Sequence, residues 1–385
     1  MKKALLWLLA IALTAGALFL LPRGKPRPAE AQGAERVEEA FRLLQSSLGL
    51  RETFFADLNA PPAPGPFHQE ALPDRTAPLN YQDSAVYRLD IQEEGWYALS
   101  LSFKPESPTL SDFGVALDIN GEAAYAEMGS LLLPLSWSDE SKVFPKDSYG
   151  DESMPAQVRL EGFRTVPLRG MLHTTAGPLL FPLKAGANTV RVRNVSNDGL
   201  LLGALSAYIP EEAPAYADYR AGLDAREVTE SIAINAVDYR FKNSSQVMLL
   251  SENNPALTPH DPAYKKLNVL RFTEPGSAAV FSFTTPQSGD YALTLRLKNK
   301  RQDISAFMSF RIDGALPFAE AANVPLPDTG ARWVNHTLAD NTGAPWLFRL
   351  AQGAHTLEVT LEMEPLMRSW RLARLLSEHV TRLSL

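Results

Sequence analysis

The strongest constraint on this 385-residue chain is a unit that occurs twice. The first copy reads Tyr87-Arg-Leu-Asp-Ile-Gln-Glu-Glu-Gly95-Trp-Tyr97-Ala-Leu-Ser-Leu101, then Asp118-Ile-Asn-Gly121, then Phe181-Pro-Leu-Lys-Ala-Gly186-Ala-Asn-Thr-Val-Arg-Val192. The second reads Phe281-Ser-Phe-Thr-Thr-Pro-Gln-Ser-Gly289-Asp-Tyr291-Ala-Leu-Thr-Leu295, then Arg311-Ile-Asp-Gly314, then Phe348-Arg-Leu-Ala-Gln-Gly353-Ala-His-Thr-Leu-Glu-Val359. Gly95 and Gly289 are 194 residues apart, Gly121 and Gly314 are 193 apart, and so are Pro134 and Pro327. The spacing then falls to 167 between Gly186 and Gly353, so the first copy holds about 26 extra residues between Pro134 and Gly186. Three elements that keep both order and register point to a tandem duplication, with a period too long for a solenoid.

Each copy alternates apolar and polar residues, the period of half-buried strands. Tyr87, Leu89 and Ile91 face one way, as do Tyr97, Leu99 and Leu101, which predicts a pair of strands joined by the short turn at Glu94-Gly95. Val115, Leu117 and Ile119 form a third strand ended by Asn120-Gly121, and Leu131 to Leu135 a fourth. Leu180 to Val192 reads as a hairpin turning at Lys184-Ala-Gly186, and Leu200 to Tyr208 closes the unit. The 29 Pro and 23 Gly residues punctuate short runs of this kind, which favours an all-β chain. The expected architecture is two jelly-roll β-sandwiches at 51–212 and 230–385, joined by a linker at 213–229. Within the linker, Ala217 to Val228 suits a short helix, and Ile232, Ile234 and Ala236 read as the first strand of the second copy.

Composition narrows the function classes. The net charge is −7, with no basic stripe interleaved with aromatics, so nucleic acid is not an expected partner. Cysteine is absent, which removes disulfides, thiolate metal sites and a Cys nucleophile. Lys2 and Lys3 precede an apolar run from Ala4 to Leu21, so residues 1–31 read as an export signal. Ala29-Glu-Ala31 offers a cleavage site before Gln32. The apolar run of residues 4–21 is also long enough to span a bilayer, so membrane attachment through it is the alternative. Either fate places the chain outside the cytoplasm or on the cell envelope. Residues 32–50 hold a short helix, with Val37, Ala40, Phe41, Leu44 and Leu48 on one face. Residues 59–79 are Pro-rich and irregular.

The order Gly-x-Tyr-x-Leu-x-Leu, Ile-Asp-Gly, and Gly-x-His/Asn-Thr-Leu/Val resembles the galactose-binding-like β-sandwich, in particular carbohydrate-binding modules of families 6 and 35. Leu326-Pro-Asp-Thr-Gly330-Ala-Arg-Trp333 is similar to the Thr-Gly-x-Trp stretch of those modules, where the Trp lines a sugar site. The resemblance therefore implies Trp333 as a ligand-binding residue and an oligo- or polysaccharide as partner. In the first copy the corresponding region, Asn194-Val-Ser-Asn197-Asp198-Gly, implies Asn197 and Asp198, with Trp137 of the insertion as their aromatic partner. The family's calcium-holding Glu in the first strand is not matched by Asn235-Ala-Val-Asp238-Tyr, and no cofactor is assigned. The order of signal, helix and two sandwiches also looks like the N-terminal part of long exported solute-binding proteins of sugar ABC importers.

A sugar site needs an aromatic face for pyranose C–H groups and a few planar hydrogen-bonding groups. Trp346 in Ala-Pro-Trp-Leu-Phe348 reads as core, Trp370 as packing, and Trp96 points away from Tyr97. The insertion's Asp139, Glu140, Asp147, Asp151 and Glu152 carry oxygen ligands for calcium but lack the Asp-x-Asp-x-Asp-Gly spacing, and they suit a solvated acidic loop. The histidines are scattered, and no nucleophile elbow, Walker loop or His-Glu-x-x-His helix occurs. The sequence reads as a non-catalytic carbohydrate-binding accessory. A structural or interaction module without a sugar site is the alternative, and a hydrolase the weaker third.

Overall fold

The computed structural model describes residues 67–171, 173, 175, 177–299 and 306–367. Residues 1–31, read above as an export signal, residues 32–50, read as a short helix, Trp370 and the C-terminal tail lie outside the described residues. Among the described residues, no helix is long and apolar enough to cross a membrane.

The first copy contains β1 (His68–Ala71), β2 (Ser84–Ile91), β3 (Gly95–Pro105), β4 (Phe113–Ile119), β5 (Leu131–Leu133), β6 (Trp137–Asp139), β7 (Gln157–Arg159), β8 (Arg164–Pro167), β9 (Arg169–Gly170), β10 (Leu180–Leu183), β11 (Gly186–Asn194) and β12 (Leu200–Tyr208). One sheet runs β1-β12-β3-β10, with β8 also on β3, and the other runs β2-β11-β4-β5-β9. Tyr87, Leu89 and Ile91 from one sheet and Leu99, Leu101 and Phe103 from the other close over a single buried core.

The period-2 reading located these strands but mispaired them. β2 and β3 lie in different sheets, and so do β10 and β11. Each of these strands buries an apolar face into the same core, so the tight connection between them carries the chain from one layer to the other. A hairpin within one sheet would leave the second layer without a partner.

The helix α1 (Tyr216–Ala221) follows, and then the second copy: β13 (Phe241–Lys242), β14 (Met248–Leu250), β15 (Val269–Arg271), β16 (Ala278–Thr285), β17 (Gly289–Ala292), β18 (Thr294–Leu297), β19 (Ala306–Ile312), β20 (Val324–Leu326), β21 (Val334–Thr337), β22 (Leu347–Leu350) and β23 (Gly353–Glu362). Ile232, Ile234 and Ala236 do not form the first strand; β13 does. The duplication holds at the level of register. β2 pairs β11 with Ile91 opposite Gly186, and β16 pairs β23 with Thr285 opposite Gly353. Tyr97 faces Phe181, and Tyr291 faces Phe348. Each of these tyrosines donates its hydroxyl to the carbonyl four residues back, Glu93 O at 2.5 Å and Gln287 O at 2.7 Å.

The two copies share one sheet. Its order is β20-β19-β23-β16-β13-β6-β7, and β6 and β7 belong to the first copy's insertion. Lys242 of β13 pairs Trp137 of β6. Of the acidic residues expected to form a solvated loop, Glu140 and Asp147 are exposed, whereas Asp139, Asp151 and Glu152 make this junction. Asp139 is 6% exposed and accepts the Tyr239 hydroxyl at 2.5 Å and the Gln157 amide at 2.6 Å. Lys142 bridges Asp139 at 3.2 Å and donates to Tyr239 O at 2.6 Å. Burial first, then the hydrogen bond to Asp139, pushes the Tyr239 pKa well above its usual 10. Asp151 pairs Lys265 at 3.2 Å and Glu152 pairs Lys266 at 3.3 Å, and Glu152 also accepts Leu267 N–H.

The connecting segment packs on the second sandwich. Tyr216 and Tyr219 lie against Phe318, and their hydroxyls accept Leu347 N–H and Arg349 N–H. Burial would raise the Asp290 carboxyl, but hydrogen bonds from Arg349, Arg226 N–H and Arg220 outweigh it and hold its pKa down at about 2.

One repeated contact differs chemically. Asn120 donates to Asn188 in the first copy at 2.9 Å, where the second copy has Asp313 against His355 at 2.6 Å. Burial opposes the imidazolium, yet the Asp313 hydrogen bond raises the His355 pKa above 6.5. Burial also opposes the Asp313 carboxylate, and the His355 and Thr356 hydrogen bonds lower its pKa below 3.8. A raised histidine stabilises the fold below its unfolded pKa, and that stability is lost as pH rises through the folded value. A lowered aspartate stabilises above its unfolded pKa and loses this as pH falls through the folded value. Asp313 is half exposed, so the expected pair contribution is at most about 1 kcal/mol. Urea melts of His355→Asn, which copies Asn188, should lose a small contribution that His355 is expected to make below its unfolded pKa of about 6.5 and to lose as pH rises through its raised folded value.

Candidate functional site

The ladder of β18 and β21 carries the candidate site. Its register sets Thr294 opposite Thr337, Arg296 opposite Asn335 and Leu297 opposite Val334. One further step puts Lys298 opposite Trp333. Opposed residues of a ladder share a face, so Thr294, Arg296, Lys298, Trp333, Asn335 and Thr337 form one row. Arg296 and Asn335 are exposed and hydrogen-bonded to each other at 3.1 Å. Thr294 and Thr337 share a hydrogen bond at 2.8 Å. On the opposite face, burial lowers His336 below its usual 6.5 and favours the neutral imidazole.

Trp333 reaches this row through the turn that the Thr-Gly-Ala-Arg stretch builds. Gly330 and Ala331 both take positive φ, 57° and 62°. Gly330 N–H donates to Asp328 Oδ1 at 2.9 Å, a local bond that stabilises the bend. The Thr329 hydroxyl donates to Asn299 O and accepts Asn299 N–H, both at 3.0 Å, which pins the turn to the end of β18.

The ring itself is half-buried and oriented. Trp333 Nε1–H donates to Glu252 Oε2 at 2.7 Å. Lys298 forms an ion pair with Glu252, and its Nζ lies 5.1 Å from the Trp333 ring centroid. The Lys298 and Glu252 side chains are only 13% and 27% exposed, so the pair sits at the inner end of the row. Glu252 is held by Asn268, a buried amide that accepts Glu252 N–H and donates to Glu252 O, both at 2.9 Å. Sequence reading missed Glu252 and Asn268. They lie 81 and 65 positions before Trp333, and no local pattern marks them.

The other expected residues stand elsewhere. Trp137 is 8% exposed and packs in the first core, so the insertion does not present it on an open loop. Its backbone pairs with Lys242, and a strand side chain at that junction is directed into the core. Asp198 accepts the Thr109 hydroxyl at 2.6 Å, and its carbonyl accepts the buried Asn194 amide at 2.8 Å, which is a loop-closing role. Asn197 is exposed on that loop, with Trp137 buried away from it. Trp346 is buried beside Phe318, in the core as its strand context predicts. Among the described residues, no three His, Asp or Glu side chains are grouped to hold a metal ion.

No protein-family profile matches this sequence, and no curated protein matches it. Several solved structures are similar to it at low identity. A family 35 carbohydrate-binding module from Cellvibrio japonicus Abf62 is 15% identical over 33% of this chain and 67% of its own length, with a TM-score of 0.20. A native family 35 module from Clostridium thermocellum is 13% identical over 39% of this chain and 97% of its own, with a TM-score of 0.20. The Podospora anserina GH26-CBM35 β-(1,4)-mannanase is 14% identical over 39% of this chain and 29% of its own, with a TM-score of 0.21. Similarity at this level bears on neither ligand nor activity, and the sandwich assignment stands on the strand pairings above.

Proposed function

We propose that the chain is a non-catalytic carbohydrate-binding protein and that the β18–β21 face of its second sandwich takes an oligo- or polysaccharide. The observation that carries this reading is the row itself. An oriented, half-buried Trp333 ring stands beside Arg296, Asn335 and the two threonines, which are exposed or half-exposed on one face. An indole supplies a flat apolar surface for pyranose C–H groups, and planar guanidinium and amide groups hydrogen-bond sugar hydroxyls in pairs. Residues 1–31 would bring the chain to the cell envelope and residues 4–21 would attach it if uncleaved. There the sandwiches would serve capture of sugar for an importer.

Screening the full-length chain on an array of plant and microbial glycans tests this reading. Retention of at least one glycan class, weakened in Trp333→Ala, is the expected result. No retention by any glycan, or retention indifferent to Trp333, would sink it.

The alternative is an interaction module with no sugar site. The observation favouring it is the shared seven-stranded sheet, which gives the insertion a purely architectural role.

A further inference from the structure

The first sandwich contains a face that matches the Trp333 row position by position. β3 pairs β8 with Ser100 opposite Pro167, Leu101 opposite Val166, Ser102 opposite Thr165 and Phe103 opposite Arg164. β18 and β21 repeat this register, with Thr294 in the place of Ser100 and Thr337 in the place of Pro167. One further step along each ladder sets Lys104 opposite Phe163 where the second copy has Lys298 opposite Trp333. The aromatic that corresponds to Trp333 is therefore Phe163, and not the buried Trp137.

Phe163, the residue just before β8, is 57% exposed, an unusual setting for a phenyl ring beside a filled core. Leu101 and Phe103 point into that core, so Ser100, Ser102 and Lys104 point outward with Phe163 and Thr165. The neighbouring strand keeps the face open. β12 is bulged between Leu202 and Leu205, and Gly203 lies in the bulge. A Cβ at Gly203 would come within 2.9 Å of Ser102 Oγ and 3.3 Å of Phe163 Cδ1, so only glycine leaves the ring and the hydroxyl in place. The side chains of Ser100, Ser102 and Thr165 make no hydrogen bond to other described residues, which leaves three hydroxyls free around one exposed ring.

We infer that the Phe163 face is a second carbohydrate-binding site and that the chain is bivalent. The inference rests on the sugar reading of the Trp333 row. A phenyl ring offers a pyranose the same flat apolar surface as an indole, without the N–H, and the three hydroxyls exchange hydrogen bonds with sugar hydroxyls. The face lacks an equivalent of Arg296, whose place Ser102 takes, so it binds a single sugar unit more weakly than the Trp333 row does. Its effect appears on polymers, where a second weak site on the same chain turns a separate encounter into an intramolecular one.

Affinity electrophoresis of the full chain through gels cast with xylan, galactomannan, mixed-linkage β-glucan or polygalacturonate tests this. Phe163→Ala removes an exposed side chain and should keep the melting temperature of the intact chain. On a gel that retards the intact chain, Phe163→Ala and Trp333→Ala should each weaken apparent affinity by roughly tenfold or more, and the double variant should run unretarded. Phe163→Ala running like the intact chain, or Trp333→Ala alone abolishing all retardation, overturns the second site while the sugar reading stands. Failure of all four gels to retard the intact chain counts against both.

Discussion

Replacing Asp139 with Ala is expected to destabilise the chain by about 3 kcal/mol, the largest effect of any single change outside the apolar cores. The carboxylate is buried and accepts from Tyr239, Gln157 and Lys142. Lys142 is half exposed and can turn to water, so its loss counts for little. Tyr239 is fully buried, and its hydroxyl would keep no acceptor at Asp139, leaving the more distant Gln157 oxygen at 3.4 Å. Urea denaturation at pH 7 reads the effect. Asp139→Asn retains an acceptor for Tyr239 and should lose about half as much. Because β6 joins the two sandwiches into one sheet, the intact chain should melt in one transition and Asp139→Ala in two. A midpoint for Asp139→Ala within experimental error of the intact chain would show that the junction is not held by this residue.

The second large effect concerns Trp333. Trp333→Ala should weaken glycan retention by roughly tenfold or more, because it removes both the stacking surface and the group that orients Lys298 and Glu252. Stability should fall by about 1–2 kcal/mol, less than for a fully buried Trp, since the ring is half-buried. Trp333→Phe separates the two contributions. It keeps an apolar ring but cannot donate to Glu252, and it should bind between the intact chain and the Ala variant. Equal retention by all three proteins on a retaining glycan would remove Trp333 from the site.

Why some of this was legible in the sequence and some was not has a physical basis. Strand positions follow from period-2 alternation, because alternate residues must face the core, and Leu99, Leu101 and Phe103 do. Which strands pair is set by which faces share a core, a relation between distant segments, so the β2–β3 and β10–β11 hairpins were misread. The duplication was legible because it is a repeated local pattern. The role of the insertion was not. Asp139, Asp151 and Glu152 look like a solvated loop until their partners Tyr239, Lys265 and Lys266 are known, and those lie about 100 residues later or more. Trp333 was singled out because the stretch that leads to it, Thr329-Gly-Ala-Arg-Trp333, is local and resembles a known motif. Glu252, Asn268 and Phe163 were not, because each gains its meaning from a residue across a sheet or a loop.

Hydrogen–deuterium exchange of the full chain, with and without a glycan that retains it, maps the face on which sugar binds. Ligand should slow exchange in peptides covering 294–298 and 333–337, with a smaller change over 100–104 and 163–167. Protection that appears elsewhere while the β18–β21 ladder exchanges unchanged would put the sugar site on another face.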